Sequence, residues 1–147
     1  MTGRPLQPPQ GGEEAPRLSF PLAGGDPLDL VALATAISER YMAEYPDERD
    51  RYGDPGIAWC VHDNQHLLNW ATEFVNGDLD DIRQEVAWLA TVLESRDYPI
   101  DRLARDLDIA AEVVIDRVGG DGGQELAAVL TDTASFVRSG DFREYSI

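Results

Sequence analysis

Residues 57–77 of the chain read IAWCVHDNQHLLNWATEFVNG, and the fold is organised around this stretch because it carries two stripes of buriable side chains. In a helix, with about 100° between successive residues, one side collects a core stripe: Ile57, Val61, Asn64, Leu68, Ala71 and Val75. The opposite side collects a second stripe: Trp59, His62, Asp63, His66 and Trp70. A helix with two such sides either packs between other helices or lines a pocket with its second side.

Start and stop signals predict four further helices around this central one. Three aspartates stand where the start of a helix needs a capping side chain: Asp26, Asp54 and Asp78. They begin a first helix over about 27–45, the central helix over about 55–76, and a third helix after it. Pro99 and a run of glycines near residue 120 delimit a fourth and a fifth helix. The fourth carries an apolar stripe of Leu103, Leu107, Ala111, Val114 and Val118, and the fifth one of Leu126, Leu130, Ala134 and Val137. No run of residues has the pattern of a strand. The pattern predicts an all-α domain of five to six helices over 26–140, either a bundle or a globin-like packing.

The two ends of the chain have a different composition. Residues 1–25 are rich in proline and glycine, which predicts a flexible arm; docking of Leu18, Phe20 and Leu22 onto the domain is the alternative. Residues 141–147 read DFREYSI, and we expect them to form a mobile tail.

The charge of the chain restricts its partners. It has 28 acidic residues against 12 basic ones, for a net charge of −16, whereas nucleic acids and anionic membranes require a basic surface. The single cysteine excludes an internal disulfide. The longest apolar run, residues 30–34, is far shorter than the roughly 20 residues of a membrane helix. We therefore expect a cytoplasmic protein with small, neutral or basic partners and with neither nucleic acid nor membrane among them.

Three kinds of site could be built on the central helix. His62 and His66 are four residues apart, as in a metal or haem site, but no third histidine, second cysteine or H-E-x-x-H pattern accompanies them. Cys60 as a catalytic nucleophile has no oxyanion donor or glycine-rich turn near it, so we do not expect an enzyme. The third kind is a ligand held jointly by Cys60 and Asp63, which lie one helical turn apart.

A distinctive pattern runs along the central helix and into the next: Cys60-Val61-His62-Asp63, His66-Leu67-Leu68, Trp70-Ala71-Thr72 and Gly77-Asp78. It resembles the chromophore helix of the phycobiliproteins, and the resemblance covers mainly residues 57–118. Those antenna proteins have a globin-like fold. In them a cysteine attaches a linear tetrapyrrole, a bilin, and an aspartate three residues later accepts its pyrrole N–H groups.

Two departures from that family shape what the resemblance implies. His62 stands where an arginine of the antenna proteins pairs with a bilin propionate, and residues 1–25 cannot supply the N-terminal helical pair through which antenna subunits dimerise. The chain is more similar to small bacterial relatives, such as the bilin biosynthesis-associated globins, or to the helical domains that accompany cobalamin-binding modules. The resemblance implies a non-enzymatic protein that binds a tetrapyrrole, most simply a bilin, with cobalamin or haem as alternatives.

This interpretation assigns six side chains to the ligand: Trp59, Cys60, His62, Asp63, His66 and Trp70. The cysteine is the attachment point, the aspartate accepts ring N–H groups, the histidines are polar or axial contacts, and the tryptophans form apolar or stacking walls. The alternative is a ligand-free sensor or adaptor that acts through helix-mediated homodimerisation or on a basic protein partner. In that case no cavity lies beside the stripe of rings.

Overall fold

Five α-helices account for most of residues 16–22 and 26–145, the part of the chain that the computed structural model describes. They are α1 (Leu30–Glu44), α2 (Asp47–Val75), α3 (Ile82–Ser95), α4 (Ile100–Arg117) and α5 (Gly120–Ser139). A short 3₁₀ helix, Asp141–Glu144, follows α5. The predicted all-α class is confirmed. None of the helices in this described part is long and apolar enough to cross a membrane.

Two of the helices begin about one turn later than predicted. The cap of α1 is Asp29, which accepts a hydrogen bond from the amide of Ala32 at 3.0 Å, and not Asp26. The cap of α3 is Asp81, which accepts from the amide of Arg83 at 2.9 Å, and not Asp78. Two aspartates lie within four residues before α1 and three before α3, and in both places the one nearest the apolar stripe makes the cap.

The chain before α1 is extended rather than helical, because it pairs with an earlier segment. Strand β1 (Ser19–Phe20) lies antiparallel to β2 (Leu28–Asp29), with Phe20 opposite Leu28. Both apolar side chains are buried, at 4% and 6% exposed. The prediction that the chain has no strand is wrong here, since two residues are too few to produce a recognisable alternation.

The predicted flexible arm over residues 1–25 is wrong for the segment 16–22, which we call the N-terminal strap. Leu22 in the strap is 6% exposed, whereas Leu18 stays 70% exposed. Gln65 of α2 and Asn76 at its C-cap donate hydrogen bonds from their side chains to backbone carbonyls of the strap, at 3.0 and 2.8 Å. The buried apolar groups and these hydrogen bonds offset the entropy cost of ordering the strap. Residues 1–15 and 23–25 lie outside the described residues.

The predicted mobile tail over residues 141–147 is also wrong, as far as Tyr145. Phe142 is completely buried, and the ring of Tyr145 packs edge-on against Phe136 with 5.3 Å between centroids. Two aromatic rings bury enough apolar surface to hold a short 3₁₀ helix against the core. Residues 146–147 lie outside the described part.

Helix α2 is continuous except at Gly53, whose φ of 66° and ψ of −161° interrupt the helical backbone. Glycine adopts such angles without the steric cost that a side chain brings. The predicted start of the central helix at Asp54 therefore matches a real break. The acidic segment before it, residues 47–52, is itself helical, and the break turns it so that Glu48 is 3% exposed.

The core lies between the helices and is formed by their apolar stripes. Helices α4 and α5 pack along each other over the longest interface, and α1 packs against both α2 and α4. The predicted stripe of α5 is entirely buried: Leu126, Leu130, Ala134 and Val137. In the core stripe of α2, Asn64, Leu68 and Ala71 are buried, while the outer positions 57, 61 and 75 are half-buried. The fold therefore holds α2 centrally over its second half and leaves its first half beside open space.

Candidate functional site

A cavity of about 410 Å³ lies against the first half of α2. Helices α1, α3 and α4 and the turn between α3 and α4 supply its other walls. This volume is within the range of roughly 300–1,000 Å³ that is typical of small-molecule sites. Glu48 and Tyr52 line it from the part of α2 before Gly53. After Gly53, the wall from α2 is one helical stripe: Gly56, Trp59, Cys60, Asp63, Asn64 and Leu67.

The structure brings three of the six predicted site residues into this cavity and leaves the other three out of its wall. Trp59, Cys60 and Asp63 line it, whereas His62, His66 and Trp70 do not. Together with Trp59, the latter three form a surface row of half-buried rings. Centroid distances along the row are 4.8 Å, 4.8 Å and 5.7 Å. The predicted second stripe therefore divides into a cavity wall and an aromatic row, and Trp59 belongs to both.

Asp106, a functional candidate that the sequence reasoning missed, enters the cavity from α4. It is 6% exposed, and its Oδ1 accepts a hydrogen bond from Nδ2 of Asn64 at 3.0 Å. Burial raises the pKa of Asp106 to about 7; the bond from Asn64 lowers this pKa, and the charge of Asp63 raises it. Among the residues that the structure describes, no arginine lies within ion-pair distance of it. The sequence signal was a charged residue between Leu103 and Leu107 in the apolar stripe of α4.

A second polar group in the wall is a fully paired network around Glu48. Its Oε1 accepts hydrogen bonds from the hydroxyls of Tyr98, at 2.7 Å, and Tyr41, at 3.1 Å; the two hydroxyls also contact each other. Its Oε2 accepts from Arg102 at 3.0 Å. Burial raises the pKa of both tyrosines, so both remain protonated donors. Because these groups satisfy one another, the network shapes the wall and leaves little hydrogen-bonding capacity for a ligand.

Cys60 lies in the wall as a neutral thiol. Burial raises its pKa most, the charges of Asp106 and Asp63 raise it further, and the nearby hydroxyl of Ser38 lowers it. The amide Nδ2 of Asn64 lies 3.6 Å from its sulfur. The thiolate is the reactive form of cysteine, so this thiol is a weak nucleophile at neutral pH.

Neither predicted histidine is placed to hold a metal inside the cavity. His62 Nδ1 lies 3.1 Å from Asp63 Oδ1, and His66 stacks on Trp70 in the aromatic row. In the described part of the chain, no three side chains of the metal-binding types come together. The groups in the cavity wall that could ligate a metal are carboxylates, an amide, hydroxyls and the sulfur atoms of Cys60 and Met42.

Comparison of the chain with protein-family models, with curated proteins and with solved structures gives no match. The resemblance to the phycobiliproteins and the globin-like packing therefore stay predictions.

Proposed function

We propose that this protein is a non-enzymatic, globin-like protein that binds a tetrapyrrole, most simply a linear bilin, in the cavity beside α2. The observation that carries the proposal is the cavity of about 410 Å³ lined by Trp59, Cys60 and Asp63. A ligand-free adaptor would have a filled core at this place. An apolar cavity with a few convergent polar groups is the usual form of a small-molecule site.

The walls of the cavity suit the parts of a bilin. Trp59 offers a flat ring face for a conjugated pyrrole system, and Asp63 offers a carboxylate to its N–H groups. Arg96, an exposed residue that also lines the cavity, offers a cation to a propionate. It thereby supplies the positive charge that His62 lacks in comparison with the antenna proteins.

The same walls favour a bilin over haem or cobalamin. Both of those ligands carry a metal whose axial position is commonly taken by a histidine. His62 and His66 lie outside the cavity wall, so neither is placed to supply that bond to a ligand within it. The raised pKa of Cys60 favours reversible binding over attachment, because thioether formation needs the thiolate.

Absorption titrations of the protein with biliverdin, haemin and cobalamin test this proposal. We expect saturable binding and a shifted spectrum with biliverdin. Cys60→Ala should keep most of the affinity, whereas Asp63→Asn should weaken it by roughly 1 to 3 kcal/mol because ring N–H groups lose an ionised acceptor. Asp80→Asn, at an exposed position between α2 and α3, is the matched control and should bind like the unaltered protein.

Two results of that titration would contradict the proposal. One is the absence of biliverdin binding. The other is that Cys60→Ala abolishes binding while Asp63→Asn has no effect, since attachment and not hydrogen bonding would then hold the ligand.

A second candidate function is supported by the aromatic row of Trp59, His62, His66 and Trp70. A continuous row of rings on one helix is suited to pack against the same row of a second copy, which is the adaptor function. Sedimentation equilibrium of the unaltered protein and of Trp70→Ala tests it. A dimer that dissociates in the variant, together with no biliverdin binding, would favour the adaptor.

A further inference from the structure

In the cavity wall, the side-chain amide of Asn64 has hydrogen-bond partners for its nitrogen but, among the described residues, none for its oxygen. Its side chain is fixed by two acceptors, since Nδ2 donates to the carbonyl of Cys60 at 2.9 Å and to Oδ1 of Asp106 at 3.0 Å. Turning the amide over would place its oxygen against both of those oxygens. Its orientation is therefore set, and Oδ1 is left as the free end.

This oxygen of Asn64 is an acceptor without a donor. The residue is 2% exposed, and within the described part of the chain Oδ1 has no hydrogen-bond partner. An unpaired buried carbonyl oxygen costs folding free energy, and native proteins tolerate it rarely and often at functional sites. Asn64 lines the cavity, so a ligand bound there is the natural source of the missing donor.

Asp106 adds further acceptor capacity at the same place. A carboxylate can accept about four hydrogen bonds, and the bond from Asn64 uses one of them. Arg102, the nearest arginine along α4 in the cavity wall, is already paired with Asp47 and Glu48. Asp63, half-buried in the wall from α2, contributes another carboxylate. The unpaired oxygen of Asn64 and the carboxylates of Asp63 and ionised Asp106 all accept hydrogen bonds.

We propose that Asn64 and Asp106, with Asp63 beside them, form a subsite of hydrogen-bond acceptors that selects ligands presenting N–H donors. This inference rests on the proposed function and deepens it, because it names the ligand class. A metal-free bilin keeps its pyrrole N–H groups. In haem, in cobalamin and in metal complexes of bilins, the metal occupies the ring nitrogens, so the ring itself has no N–H groups to donate.

The first test compares two ligands that differ in these N–H groups, with the unaltered protein. We expect biliverdin to bind roughly tenfold or more tightly than its zinc complex, since a site built to accept hydrogen bonds discriminates strongly against a ligand that lacks the donors. Asp106→Asn should weaken biliverdin binding by a similar factor. Asp101→Asn, at an exposed position in the first turn of the same helix, is the control and should leave it unchanged.

A second pair of small probes separates the subsite from the bilin proposal. Benzamidine has an apolar ring and several N–H donors, whereas acetophenone has a similar ring and only an acceptor. In NMR titrations we expect benzamidine, and not acetophenone, to shift the side-chain amide signals of Asn64. Asp106→Asn should abolish that shift, and circular dichroism checks that the variant is folded.

Each outcome decides one of the two proposals. Equal affinities for biliverdin and its zinc complex, with no effect of Asp106→Asn, would overturn the subsite and leave bilin binding intact. No biliverdin binding would overturn the proposed function; the subsite would then stand if benzamidine binds in an Asp106-dependent manner, and would fall if it does not.

Discussion

A buried carboxyl group costs folding free energy unless it is paired, and Asp106 is paired by a single amide. Three other ionisable groups interact with it: Asp63 and Cys60 from α2, and Tyr41 from α1. None of these carries a positive charge. The carboxyl of Asp106 is therefore easier to protonate in the folded protein than in the unfolded chain, and this difference makes stability depend on pH.

Replacing Asp106 by Asn should remove that dependence. The pKa of Asp106 lies at about 7 in the folded protein against an ordinary 3.8, so between these values the unfolded chain releases a proton that the folded protein retains. The contribution of Asp106 to the free energy of unfolding is largest below about pH 4, decreases as the pH rises to about 7, and is constant above that. The total decrease is about 1.4 kcal/mol for each unit of difference between the two pKa values. The advantage of Asp106→Asn over the unaltered protein should therefore grow across this window.

Urea unfolding of both proteins below, within and above the window measures this effect. Other carboxyl groups, such as Glu44 and Glu94, have a lowered pKa and change stability in the opposite direction, but they are common to both proteins. The difference between the two curves isolates Asp106. A difference that is the same at every pH would show that its pKa is not raised.

Cys60 gives a second prediction at the scale of one residue. Burial and the neighbouring carboxyl groups raise its pKa, and each unit lowers the thiolate fraction tenfold at a given pH. We expect iodoacetamide to alkylate the folded protein at least roughly tenfold more slowly than the urea-unfolded chain at the same pH. Mass spectrometry of timed samples gives both rates. Equal rates would mean that the thiol is exposed and has an ordinary pKa, and covalent attachment of a bilin at Cys60 would then be favoured.

At the scale of elements, the N-terminal strap and the 3₁₀ helix both pack against the core, one at each end of the described chain. Each is short, and each is held by aromatic side chains that reach the core, Phe20 in the strap and Phe142 after α5. Leu22 also lies close to Gly122 in the first turn of α5, where an added Cβ would be 3.1 Å from its Cδ2. The strap therefore connects the start of α5 with α2 and is part of the domain.

Phe20→Ala should consequently destabilise the protein. The ring is 4% exposed and pairs with Leu28 across the two strands, so its removal leaves a cavity worth roughly 3 kcal/mol. Leu18→Ala is the matched control in the same strap, because that side chain is 70% exposed. Thermal unfolding should show a lower Tm by several degrees for Phe20→Ala and little change for Leu18→Ala. Equal melting temperatures of the two variants would instead support the prediction that this segment is a flexible arm.

At the scale of the whole molecule, the hydrophobic core does not depend on the cavity being filled. The largest completely buried side chains come from all five helices of the described chain and include Leu30, Leu68, Val86, Leu107 and Leu130. Such a core supplies the main driving force for folding. The cavity lies to one side of it, against the first half of α2.

We therefore expect the ligand-free protein to be helical and to unfold in one cooperative transition. Circular dichroism measures both properties. Biliverdin should then raise the Tm with the logarithm of its concentration relative to Kd, by an amount equivalent to about 2.7 kcal/mol at a hundredfold excess over Kd. A ligand-free chain that is disordered and becomes helical only with biliverdin would show that the core residues have been assigned wrongly.

The positions of the helices along the chain could be predicted from the sequence. Apolar side chains at a spacing of three to four residues, prolines and capping aspartates are local signals, and they predicted five helices with few errors in their bounds. The stripe of α5 is buried as predicted, and Gly53 breaks the backbone just before the predicted start of the central helix. The errors at Asp26 and Asp78 are one turn long, because more than one aspartate is available for each cap.

Only the tertiary structure decided which side chains share the cavity. Asn64 and Asp106 are 42 residues apart in the chain, and nothing local to either residue predicts their hydrogen bond. The separation of Trp59, Cys60 and Asp63 from His62, His66 and Trp70 likewise depends on where α3 and α4 lie beside α2. Helical periodicity determines which residues share a side of a helix, whereas the packing of distant helices determines whether that side faces a neighbour, solvent or a cavity.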